Sequence, residues 1–217
     1  MLYPLLSAVV LCVLLHMFVI ALCGAAFGVT VREISLGLGP KAFSIGKFTF
    51  RALPFGGSVR FKDSREEELD AHDMQGALDS RPLFAQIVIG LSGCLALLAL
   101  AVVALQAEGV QAFLNGFIEI VTGAVSPMDK AQALLAQAQQ RLAGAPFVAV
   151  LGLVAAKLAA FNLLPLPAAN GGFVIAMIAR GLGIAKFWPQ GLTPVLLLAY
   201  LAIAISWLWA LVAYLLH

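Results

Sequence analysis

Long apolar runs separated by short polar stretches dominate this chain. A membrane crossing takes about 20 mostly apolar residues, and residues 5–26, 84–105 and 192–216 each supply that length. A fourth run, residues 147–164, is shorter and ends in a proline-rich stretch. Residues 171–184 are apolar but broken by glycine, which predicts a re-entrant or broken helix whose free backbone groups need cover from protein or water. The pattern therefore predicts an all-α integral membrane protein, one domain over residues 1–217, with about four transmembrane helices plus the broken one.

The first loop follows a different period. Phe48-Thr49-Phe50-Arg51-Ala52-Leu53 and Ser58-Val59-Arg60-Phe61 nearly alternate apolar and polar around Pro54-Phe55-Gly56-Gly57. That predicts two short strands joined by a turn, a small membrane-associated β-hairpin within a β-like loop spanning 31–63. Further on, Phe113 to Val121 is expected along the membrane surface, and Ala131 to Leu142 as a helix rich in Ala and Gln.

Charge sets the orientation. Only 11% of residues are charged, against 62% hydrophobic, far from the balance of a soluble domain. A net charge of +2 without a basic run gives no footing for nucleic acid. Most Lys and Arg fall between Arg32 and Arg81, with Arg180 and Lys186 in a later short loop, whereas residues 106–146 hold just Lys130 and Arg141. The positive-inside rule makes the first and third loops cytoplasmic and puts both termini outside. Trp188, Trp207, Trp209 and Tyr214 suit interfacial anchors of the last span. Cys12, Cys23 and Cys94 lie in apolar runs without paired spacing and are expected to pack as small hydrophobes. Lys157 falls near the middle of the third span, where a charge costs several kcal/mol unless paired or wetted.

Two motifs carry the chemistry. Asn162-Leu163-Leu164-Pro165-Leu166-Pro167-Ala168-Ala169-Asn170-Gly171-Gly172 stands late in the chain, and His16-Met17-Phe18-Val19-Ile20 lies on the first apolar run. The first resembles the Asn-x-x-Pro-x-Pro-x-Leu-Asp-Gly-Gly signature of the site-2 protease family, membrane-embedded zinc metalloproteases. The second stands where that family has His-Glu-x-x-His. Ile34-Ser35-Leu36-Gly37-Leu38-Gly39, Leu53-Pro54-Phe55-Gly56-Gly57-Ser58-Val59 and Arg81-Pro82-Leu83-Phe84 are similar to further blocks of the family, although Cys94 stands at a usual proline. Residues 106–146 are too short for the PDZ domains of many relatives.

The resemblance implies a fold and a site, and the site is altered. Two His four residues apart share one helix face, so both can reach one ion. A distant Asp completes three protein ligands and leaves a position for water, which a Glu deprotonates. Here Met17 stands at the base, Ile20 at the second His and Asn170 at the Asp, and only His16 keeps its identity. No metal ligand set is expected, nor a catalytic residue; His16, Asn162 and Asn170 are expected as a polar remnant, and Lys157 either snorkels or stays neutral, or its charge partly stands in for the absent cation. His72 and Asp73 with Asp70 are the other clustered ligand types and read as a solvated loop; Glu33 and His217 lie too far along the chain to substitute.

Relatives bind substrate as an extended segment against a strand of the first loop. Backbone hydrogen bonds then give the hold and side-chain pockets the preference. Phe48, Phe50, Pro54, Gly56, Gly57 and Val59 are the candidate docking residues. The leading expectation is a pseudoprotease of the bacterial cytoplasmic membrane that holds a membrane protein or transmembrane peptide segment, with no cofactor. The competing readings are an active zinc protease with an atypical site and a transport or permeation component.

Overall fold

The computed structural model describes residues 2–70, 74–185 and 192–216. Seven helices and one sheet are present among them: α1 (Leu2–Ala26), β1 (Val31–Ile45), β2 (Phe48–Phe61), α2 (Leu83–Leu105), α3 (Ala107–Val125), α4 (Lys130–Leu142), α5 (Phe147–Asn162), α6 (Asn170–Gly181) and α7 (Leu192–Leu216). Three of the helices, α1, α2 and α7, are long and apolar enough to cross a membrane. The fourth expected crossing, α5, is a shorter apolar helix that stops at Asn162 before the proline-rich turn. Where a re-entrant or broken helix is expected, α6 is a short continuous helix of 12 residues.

The chain clusters into two compact units, residues 13–96 and residues 1–12 with 97–217. In the first unit the loop after α1 is a larger sheet than its sequence suggests. The expected turn at Pro54 to Gly57 does not separate two strands; β2 runs through it, and the hairpin turns instead between Ile45 and Phe48. Gly46 takes φ +58 there and Gly56 bends β2 at φ +72. The missing partner was β1, whose Gly37, Gly39 and Pro40 look like loop residues in a sequence window. Its residues Ile34, Ser35 and Leu36 have Val59, Ser58 and Gly57 beside them on one edge, and Phe48, Thr49 and Phe50 on the other. Arg51 Nε donates to Ser35 Oγ at 2.6 Å, which ties the sheet across its buried centre. Glu33 lies between the guanidinium groups of Arg51 and Arg60, at 3.6 and 3.8 Å, so its carboxylate is engaged in the sheet.

Residues 62–70 and 74–82 are stitched onto this sheet and the end of α1. Thr30 N–H donates to the Gly76 carbonyl at 2.9 Å and Leu78 N–H to the Lys62 carbonyl at 2.7 Å. Arg81 donates to the Gly28 carbonyl at 2.6 Å. Burial pushes the Asp79 carboxyl up, but hydrogen bonds from the Ser64 hydroxyl and N–H outweigh it and hold the group below the usual carboxylate range. His72 and Asp73 lie outside the described residues, as do Lys186, Trp188 and His217.

The second unit is a helical bundle around Ile120, Ala160, Leu164 and Leu166, with Phe113, Phe117, Phe161, Tyr200 and Ile203 packed against them. Gln106, at φ 56, is the single residue between α2 and α3. Helix α7 is held to the segment α3–α4 by side-chain hydrogen bonds. Ser206 donates to the Ala124 carbonyl at 2.6 Å, Trp207 Nε1 to the Ile120 carbonyl at 2.9 Å, and Gln132 Nε2 to the Ala210 carbonyl at 2.9 Å. Tyr214 and Gln139 pair beyond them. Trp207 is thus a bundle residue as well as an aromatic near a span end, whereas Trp209 is 59% exposed.

Candidate functional site

The buried face of α1 is where the sequence places the site. Ala8, Cys12, His16, Ile20 and Gly24 recur every four residues, and all are buried. His16 is 7% exposed, Met17 2% and Ile20 8%, so all three sit inside protein. Four-residue spacing does put positions 16 and 20 on one face. At 20 that face carries a hydrocarbon.

What surrounds them is backbone. A Cβ on Gly93 of α2 would lie 2.6 Å from His16 Nδ1 and 2.7 Å from the His16 carbonyl, so α2 passes His16 without room for a side chain. A Cβ on Gly57 of β2 would collide with Met17 Sδ, and one on Gly24 would collide with the Phe61 ring. Met17 and Gly24 are seven residues apart, about 10 Å along a helix. The Gly57–Phe61 end of β2 therefore lies alongside the last turns of α1, with Met17 at one end and Gly24 at the other. Gly93→Val should destabilise the fold by about 1–3 kcal/mol, the usual cost of overpacking. Thermal unfolding in detergent measures it, and an unchanged midpoint would disprove the close approach.

The second motif builds a different kind of crowding. After α5 ends, Leu166 N–H donates back to the Leu164 carbonyl at 2.8 Å and Ala169 N–H to the Leu166 carbonyl at 2.9 Å, forming a tight proline-rich turn. A Cβ on Gly171 would collide with the carbonyls of Leu163 and Leu164, and one on Gly172 with that of Leu166. The glycine pair lets α6 start against this turn. Asn162 and Asn170 flank it: Asn170 opens α6, and Asn162 donates to the Leu158 carbonyl of its own helix at 2.8 Å. His16, Met17 and Ile20 belong to the first unit, Asn162, Asn170 and Lys157 to the second.

Lys157 has a partner that the sequence reading missed. Its Nζ lies 2.5 Å from Glu119 Oε2 of α3 and donates to the Ala112 carbonyl at 3.0 Å. The signal was a lone acid inside the apolar run Phe117-Ile118-Glu119-Ile120-Val121. An intramembrane base elsewhere in the chain is the natural match for such a residue. The cation thus has its own counter-ion between α3 and α5.

On the sheet, Phe50 stacks on Phe43 with ring centroids 4.6 Å apart. Phe43, Ile45 and Phe48 are 53%, 67% and 48% exposed, an apolar rim around the hairpin turn. Val59 is half-buried, Gly56 and Gly57 are exposed, and Pro54 lies within β2, its side chain outside the described residues.

The zinc that the first-helix and proline-rich signatures imply does not fit the donors at these positions. Ile20 has no donor atom, Met17 offers a thioether in place of a carboxylate, and Asn170 is a neutral amide; a catalytic zinc site takes three good protein ligands. Among the described residues, no group of three or more His, Cys, Asp or Glu side chains could hold a metal ion. Comparison with curated proteins gives no match. Comparison with known families matches Peptidase family M50 over residues 4–206, almost the whole length. With its apolar helices, proline-rich turn and strand beside the first helix, the chain is an integral membrane protein that belongs to the site-2 protease family.

Proposed function

We propose that this chain is a catalytically inactive member of its family, a pseudoprotease that holds a transmembrane segment of a partner protein as a subunit or regulator. The observation that carries the reading is Met17. The residue at the position of the family's general base is buried to 2% exposure, and its sulfur packs on the Gly57 backbone of β2. A thioether accepts no proton at neutral pH, so it cannot activate water. Ile20, buried on the same face, adds no ligand.

What persists is the means of holding a chain. Strand addition draws on backbone groups, which substitutions at Met17, Ile20 and Asn170 leave intact. The Gly57–Phe61 edge of β2 and the apolar rim of Phe43, Ile45 and Phe48 offer the extended partner both hydrogen bonds and apolar contact. In this reading the protein sits in the bacterial cytoplasmic membrane with both termini outside and needs no cofactor.

Metal content of the purified protein, by elemental mass spectrometry, is the test, combined with a photo-crosslinking residue at Val59. The expected result is zinc at background and an adduct between Val59 and a membrane protein. Near-stoichiometric zinc with chelator-sensitive cleavage of that partner would overturn the reading in favour of an atypical active protease.

A further inference from the structure

Helix α3 presents three distinct faces, and one of them is exposed among the described residues. At about 100° per residue, Val110, Leu114, Ile118, Val121 and Val125 fall within an arc of about 80°. They are 41%, 53%, 68%, 45% and 80% exposed. A second face, with Gly109, Gly116, Ile120 and Gly123, is buried against the bundle. The third carries Glu108, Gln111, Asn115, Glu119 and Thr122. On this face Gln111 Nε2 donates to Asn115 Oδ1 at 2.8 Å, Thr122 Oγ1 to the Ile118 carbonyl at 2.8 Å, and Glu119 pairs with Lys157 of α5.

We infer that α3 is an interfacial membrane helix, with its Val110–Val125 stripe buried among the acyl chains of one leaflet and its Gln111–Thr122 stripe turned to the headgroups and water. Three observations select lipid as the occupant of the stripe. The apolar arc and the polar arc are adjacent and sharply divided, the arrangement of a helix lying in the membrane plane. Gln106 joins α3 directly to the end of α2, so the helix begins where a membrane-crossing element stops. The preceding residues Val102 and Val103 of α2 are 37% and 83% exposed, and in a crossing helix such residues meet lipid, so the stripe continues an apolar surface already in the bilayer.

The Lys157–Glu119 pair then acquires a role. The two arcs set the rotation of such a helix in its leaflet, and contacts with the bundle set where it lies. The ion pair, with the Ala112 carbonyl as a further contact, ties α3 to α5. The bundle thus holds this element through a charge pair as well as through the α7 hydrogen bonds to the Ile120 and Ala124 carbonyls.

Nitroxide labels test this in reconstituted vesicles, after Cys12, Cys23 and Cys94 are replaced by Ala. Collision with dissolved oxygen reports lipid, collision with a water-soluble nickel chelate reports water, and exclusion of both reports protein. Labels at Leu114 and Ile118 should give the oxygen-to-nickel ratio found at Ile205 of α7, and labels at Asn115 and at Gln137 of α4 the inverse. High nickel collision at Ile118, or exclusion of both probes there, would overturn the inference. A photo-crosslinking residue at Ile118 keeps the cysteines and covers a failure of the cysteine-free chain to fold. Lipid adducts support the inference, and a protein adduct overturns it in favour of a second copy or a partner helix.

Discussion

Zinc should rise from background to near-stoichiometric when Met17→Glu, Ile20→His and Asn170→Asp are introduced together. The expectation follows from ligand arithmetic. The family signature sets these positions around one ion, and His16 is already in place on the buried face of α1. Ile20→His restores the second imidazole four residues on, and Asn170→Asp restores the anionic ligand that offsets the metal charge. No single reversion should suffice, because each leaves fewer than three good protein ligands. Met17→Glu alone should cost about 2–4 kcal/mol of stability, since it places a carboxylate in a site that excludes water, beside the backbone of Gly57. In the triple variant that penalty should shrink as the metal-bound water supplies a partner. Elemental analysis and unfolding midpoints with and without zinc read both effects. Absence of zinc from a well-folded triple variant would show that the remaining scaffold has moved away from a metal-binding arrangement.

The second large effect belongs to the charge pair. Lys157→Met should destabilise the protein by about 1–3 kcal/mol, less than a fully buried pair because both side chains are 32% exposed. Most of that cost comes from the half-buried Glu119 carboxylate, left without its cation. Adding Glu119→Gln to Lys157→Met should therefore recover most of the loss, a coupling that a double-mutant cycle reads directly. Equal and additive losses would mean that the two groups act independently, and the tie between α3 and α5 would have to lie elsewhere.

Much of the architecture was legible from the apolar runs. The expected spans at 84–105 and 192–216 match α2 and α7 closely, because long uniform runs leave little choice of boundary. The sheet was harder. Pro54 and Gly56 are strong turn residues, yet in β2 they bend a strand that continues, since its backbone partners lie in β1 rather than in the local sequence. Glu119 was missed for a related reason. Hydropathy scores an acid as a cost wherever it stands, while its real cost depends on Lys157, far along the chain. At the candidate site, residue identity told which side chains stand at the signature positions. It could not tell that Met17 would lie on Gly57, because that contact joins a helix to a strand whose path the sequence hides.

The glycine pair at the start of α6 carries a consequence for how such chains diverge. Gly171 and Gly172 are required by the carbonyls of the turn before them, whatever stands at position 170. Folding thus polices the glycines and prolines of the motif, while hydrolysis alone polices the residue beside them. The two constraints can be released separately, so a lineage can drop its chemistry in one substitution and still be held to the same spelling on either side of it. A motif of this kind is better evidence of descent than of activity.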